Sequence, residues 1–260
     1  MKQKRGMLPI VIAVLAAGLA VLGSAGGASA AGSCTTAVSH AWSGGSWTPS
    51  GSNFAAGVQA PVQLWANSNI CNASSGEGDQ ASSWISIVPS TGGLIAQIGF
   101  TKVIDNPSTG SVRTCRFWAI GSGQGHVYAC GADSTGDRVW FRITAMPNAD
   151  GMGHYYYLED CGPDVNYDGC VTKNLTQPAW SDGQAYILSE VSYGCQDQMP
   201  GSSSSRVSFG TSTFPIKAQN GYGDAWAVRS LGGYLYGPCG TSHFHYSVTN
   251  PIVTTWDDRN

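Results

Sequence analysis

Beyond its first thirty residues the sequence contains no apolar run approaching eighteen residues, so no transmembrane helix is expected in the mature chain. Charge is scarce as well: 13 Lys and Arg stand against 16 Asp and Glu, and the formal net charge is −3. That balance argues against nucleic acid or an anionic membrane as partner, because both are bound by clustered basic residues. No C-x-x-C occurs among the cysteines, which leaves zinc ribbons and thioredoxin-like redox chemistry unsupported. There is no G-x-S-x-G elbow, no H-E-x-x-H helix and no phosphate-binding glycine loop. Helical three-to-four spacing of apolar residues is nearly absent after the N-terminal segment.

The first residues do carry a pattern. "MKQKRG" is followed by an apolar run from Met7 to about Gly23 and then by the small residues of "SAGGASA". A basic start, an apolar middle and Ala28-Ser29-Ala30 before a cut describe a secretory signal peptide over residues 1–30. The mature protein is expected to begin near Ala31, to be secreted and extracellular, and to have no membrane association once the signal is removed. Loss of Lys2, Lys4 and Arg5 with the signal makes the mature chain more acidic still.

All eight cysteines lie in the mature part, and an even number in an oxidising compartment implies disulfides. Sequential pairing is the expectation, with Cys115–Cys130 and Cys161–Cys170 foremost. Residues 31–260 show no linker and no repeat of fixed period, so a single domain, monomeric, is expected.

Short segments rich in Val, Ile, Thr, Tyr and Trp are separated by Gly, Asn, Asp and Ser clusters. They include "GVQAPVQLW", "SSWISIV", "LIAQIGF", "CRFWAIG", "HVYAC", "DRVWFRITA", "HYYYL", "AYILSEVSY", "RVSFGTSTF", "AWAVRSL" and "HFHYSVT". Alternation with period two at this spacing predicts an all-β fold: a disulfide-stapled, two-sheet antiparallel β-sandwich of jelly-roll or concanavalin-like type.

Only three glutamates follow the signal: Glu77 in a polar loop, Glu159 at the end of "HYYYLED", and Glu190 inside "AYILSEVSY". A carboxylate in the middle of an apolar strand must be desolvated, paired or turned toward a cleft. Alternation puts Glu190 on one face with Tyr186, Leu188 and Ser192. Gln97, within "GGLIAQIGF", is a similar polar intrusion and shares its face with Ile95 and Gly99, where the missing side chain permits a groove or a close backbone approach. A Glu can serve as general base toward water, and an amide N–H can stabilise an oxyanion.

The order "SSWISI", "LIAQIGF", "RFWAIG", "GDRVWFRITA", "YYYLED", "AYILSEVSY", "SFGTSTF", over roughly residues 54 to 215, resembles the glutamic peptidases of the eqolisin type, secreted β-sandwich acid proteases. The resemblance implies an endopeptidase acting in acid on protein or peptide, with Gln97 and Glu190 as its catalytic dyad, Trp84 and Trp118 as substrate-binding aromatics, and no cofactor required. A second register aligns Tyr186 with the family's glutamate and implies a sandwich without this chemistry.

Two further motifs concern metals. "DVNYDG" has the opening of a calcium loop, with Asp164, Asn166 and Asp168 at alternate positions before a glycine, and a structural calcium is one reading beside an Asx-rich turn. "HFH" puts His243 and His245 on one strand face, a spacing zinc can use, but no third ligand is marked by spacing. The competing function is a lectin-like or adhesive module that stacks sugars on exposed aromatics, Trp42 and Trp47 among the candidates.

Overall fold

The computed structural model describes residues 40–51, 54–65, 70–71, 80–89, 94–106, 108–121, 124–147, 153–163, 170–178, 183–192, 196–237 and 242–260. The signal segment, Glu77 and the Asp164–Gly169 motif, with Asn166 and Asp168, lie outside the described residues.

Among the described residues every regular element is a strand, as the two-residue alternation predicts. In chain order they are β1 (Ala41–Trp47), β2 (Ala55–Gln63), β3 (Gln80–Pro89), β4 (Ala96–Asn106), β5 (Ser111–Ile120), β6 (Gln124–Tyr128), β7 (Arg138–Pro147) and β8 (Gly153–Asp160). They continue with β9 (Val171–Pro178), β10 (Gly183–Val191), β11 (Val207–Phe209), β12 (Lys217–Asn220), β13 (Gly232–Tyr236), β14 (Phe244–Thr249) and β15 (Ile252–Asp257). Two antiparallel sheets result. The seven-stranded sheet runs β13-β1-β10-β3-β4-β5-β6, and the other runs β14-β15-β11-β2-β7-β8-β9, with β12 paired to β2.

The main core lies between them. Ile85, Ile87, Ile98, Phe100 and Ile187 of the first sheet meet Val58, Val62, Phe141, Ile143 and Leu158 of the second, all buried. The Phe100 and Phe141 rings meet edge to face with centroids 5.5 Å apart, a geometry that aromatic quadrupoles favour.

Several strands escaped the sequence pattern. β1, "AWSGGSW", is weak in β-formers because its glycines admit a close neighbour: a Cβ on Gly44 would lie 2.2 Å from the Ile187 carbonyl oxygen. β13, "GGYLY", is an edge strand, mostly exposed, and its apolar residues do not mark a core face. Conversely "AWAVRSL" forms no strand and contributes a single bridge between Ala227 and Ala218.

One polar cluster fastens the two sheets. Arg116 of β5 donates to Asp160 of β8 at 2.9 and 3.0 Å and to Asp133 at 2.6 and 2.8 Å. The hydrogen bond to Asp133, opposed by burial and reinforced by Asp160, raises the guanidinium pKa further, so Arg116 stays charged at any working pH. Tyr128 donates to the same Asp160 at 2.9 Å. The disulfides Cys115–Cys130 and Cys161–Cys170 form as expected, and each begins one residue from this cluster. Cys71 is also disulfide-bonded. Such bonds fit an oxidising, extracellular setting, and no described helix is long and apolar enough to cross a membrane.

Gly99 is a close backbone approach of the kind its sequence position suggested. A Cβ there would stand 2.2 Å from the Ser83 carbonyl oxygen and 2.7 Å from the Trp84 Cα. Gly99→Ala is therefore expected to destabilise the protein by about 2–3 kcal/mol through overpacking. Urea unfolding checks this, with a lowered midpoint and an unchanged slope as the expected result.

Candidate functional site

The strands β10, β3 and β4 are buried on both faces. The even residues of β4 and the odd ones of β3 and β10 fill the main core; the alternate set builds the outer face of the seven-stranded sheet. Strand pairing orders that face into rows. One row runs Tyr236, Trp42, Glu190, Ser82, Thr101 and Cys115; the next runs Tyr234, Gly44, Leu188, Trp84, Gly99 and Phe117. The third runs Gly232, Ser46, Tyr186, Ser86, Gln97 and Ala119.

Gln97 and Glu190 thus share a sheet and a face. They are not neighbours: β3 lies between their strands, and the row carrying Trp84 and Leu188 lies between their rows. At a strand spacing of ~4.8 Å and a rise of ~3.4 Å per residue their Cα atoms are roughly 16 Å apart. The residue in row with Gln97 is Tyr186.

Glu190 is 3 % exposed, and both carboxylate oxygens are engaged. Oε2 accepts from the Trp84 indole Nε1 at 2.9 Å, and Oε1 lies 2.9 Å from His40 Nδ1. No arginine takes part; Arg142 pairs with Glu159 on the other sheet. Burial lowers the His40 pKa, but the hydrogen bond and charge of Glu190, with Asp197 nearby, outweigh it and carry the imidazole above its ordinary value. The His40 ring also stacks on Trp42, 5.6 Å between centroids and 10° between planes. Indole, carboxylate, imidazole and second indole form one connected chain: Trp84, Glu190, His40, Trp42.

Gln97 contrasts with this. It is 6 % exposed, and its amide has no hydrogen-bond partner among the described residues. Its neighbour in the row, Ser86, has a fully buried hydroxyl that is equally unpartnered. Beyond Ser86, Tyr186 donates to the Gln184 side-chain oxygen at 2.6 Å and meets Tyr234 edge-on at 5.1 Å. Burial and then Tyr234 raise the Tyr186 pKa, so the phenol stays neutral through the physiological range. Trp42 lies 5.2 Å from Tyr236, which is 55 % exposed. Trp42, Tyr186 and Tyr234 are half-buried, and the four rings line one end of the face.

Trp84 belongs to this face, 3 % exposed. Trp118 is in row with Ile98 and projects from the opposite face against the main core, and Trp47 does the same. The parity of β5 and β1 decides both. Ser86, Tyr234 and Tyr236 stand on this face, and His40 pairs with its carboxylate, placements that the sequence reading did not mark. For the tyrosines the signal was present, since "YLY" places two rings on one strand face; for His40 and Ser86 nothing local distinguishes them. No protein-family model matches the chain, and no curated protein matches it.

Two outcomes follow for the buried carboxylate. Because the His40 pKa is raised on folding, its pairing stabilises the protein fully below the unfolded imidazole value of about 6.5 and fades as pH rises through the folded value. His40→Asn is therefore expected to cost more stability at pH 5.5 than at pH 9, as urea unfolding at the two pH values would measure. Trp84→Phe removes one donor from a buried carboxylate and is expected to cost about 1–3 kcal/mol, read as a fall in the unfolding midpoint.

Proposed function

We propose that this chain is a secreted, lectin-like binding module that takes carbohydrate on the outer face of its seven-stranded sheet and does not hydrolyse it. The observation that carries the reading is a run of rings along one face: Tyr186 is in row with the unpartnered Ser86 hydroxyl and Gln97 amide and meets Tyr234, and the Trp42 and Tyr236 pair stands two rows further along the same end. Aromatic faces stack on the apolar faces of sugar rings, while buried polar groups without partners gain most from a ligand that supplies them. The Glu190 carboxylate, held by Trp84 and His40, serves here to orient the two tryptophans. Secretion is supported by the signal-like N-terminus and by disulfides that fit an oxidising compartment. A structural calcium at Asp164, Asn166 and Asp168 is compatible with this function and is not required by it.

A second reading is an acid-acting glutamic endopeptidase with Glu190 as base and Gln97 as oxyanion donor. One observation favours it: the Gln97 amide is free to donate, on the same face as Glu190. The row pairing of Gln97 with Tyr186, and the engagement of both Glu190 oxygens, favour binding over hydrolysis.

Calorimetric titration of the mature chain with a panel of soluble oligosaccharides separates the two. Binding that weakens at least about tenfold in Trp42→Ala and Tyr236→Ala is the expected result. Cleavage of a denatured protein between pH 2 and pH 7 that vanishes in Glu190→Gln, with no saccharide bound, would replace this reading with the peptidase.

A further inference from the structure

The histidines of "HFH" gain in the fold the partner that the sequence did not mark. β14 is the edge strand of the eight-stranded sheet, and its pairing sets Phe244 against Asp257 and His245 against Trp256. Continued by one residue, that register brings Asp258 beside His243. His243 Nδ1 lies 2.7 Å from Asp258 Oδ1, and His245 Nε2 lies 3.3 Å from Oδ2. The three side chains are 46, 37 and 43 % exposed, and so are open to an ion from solution. The His245 ring stacks on Trp256 at 5.3 Å, and the Arg206 guanidinium lies 3.8 Å from the centre of the same indole.

We propose that His243, His245 and Asp258 bind a divalent transition-metal ion of the zinc class at this strand edge. Two imidazoles and one carboxylate are a ligand set that zinc accepts, with water completing the tetrahedron. Alternate residues of a strand present both imidazoles on one face, at Cα atoms ~6.8 Å apart. The carboxylate comes from the neighbouring strand's end, so no spacing in the sequence reveals it.

As placed, no trio of His, Cys, Asp or Glu among the described residues, this one included, could hold a metal ion. In this trio each imidazole meets a different oxygen of Asp258. The change required is a rotation of exposed side chains, which surface residues make on the nanosecond scale. The ion then occupies the place of the protons shared between the rings and the carboxylate. This site lies on the other sheet from the aromatic face and stands or falls independently of the carbohydrate reading.

The test is calorimetric titration of tag-free, chelator-stripped mature protein with zinc chloride, alongside His243→Asn/His245→Asn and Asp258→Asn. The expected result is one zinc per chain, with affinity falling at least about a hundredfold in the double variant and about tenfold in Asp258→Asn. All three positions are exposed, so these variants should keep the wild-type unfolding midpoint. Copper(II) is expected to quench part of the tryptophan emission in the wild type and less of it in Trp256→Phe. Absence of zinc binding, or binding equal in the double variant, would overturn the proposal; binding unchanged in Asp258→Asn would overturn the role of the carboxylate.

Discussion

Three central strands with no solvent-facing side constrain everything else in this protein. β10, β3 and β4 are covered on one face by the opposing sheet and are nearly inaccessible on the other, so each alternate residue must satisfy a different interior. One interior is dry and aliphatic. The other holds Trp84, Leu188 and Phe117 together with Ser82, Ser86, Gln97 and Glu190. Polar groups in such a place either find partners or wait for a ligand. Glu190 has found two, and Gln97 and Ser86 have none among the described residues.

A carboxylate clamped by an indole and an imidazole is a rigid support, and the clamp extends through His40 to Trp42 at the exposed end of the face. An unpartnered amide and hydroxyl beside a neutral phenol form a polar surface with unused capacity. The geometry thus separates two residues that look alike in the sequence, each a single polar side chain inside an apolar strand. One is clamped by two partners, and the other has none among the described residues.

The same logic of paired strands operates at both edges of the sandwich. Toward the β6 and β9 edges Arg116, Asp133, Asp160 and Tyr128 join the sheets next to two disulfides, and at the other edge β14 brings Asp258 to the imidazoles of His243 and His245. The first cluster assembles residues 44 positions apart, Arg116 and Asp160, and the second joins residues 13 and 15 positions apart across the β14–β15 hairpin.

The all-β class was legible because period-two alternation is a property of each segment alone, and "SSWISIV", "LIAQIGF" and "AYILSEVSY" all lie within strands or extend them by a residue or two. The faces were legible for the same reason: Ile187 and Val191 turn to the main core, and Leu188 and Glu190 turn away. The nearest disulfides, Cys115–Cys130 and Cys161–Cys170, could be anticipated because short loops bring their ends together easily. What no segment contains is the register between strands. Registration decided that Tyr186 and not Glu190 lies in row with Gln97, that Trp118 and Trp84 serve different faces, and that His40 reaches a carboxylate 150 residues away. A one-residue slip would reverse each face, so these contacts are fixed only when whole sheets pack together.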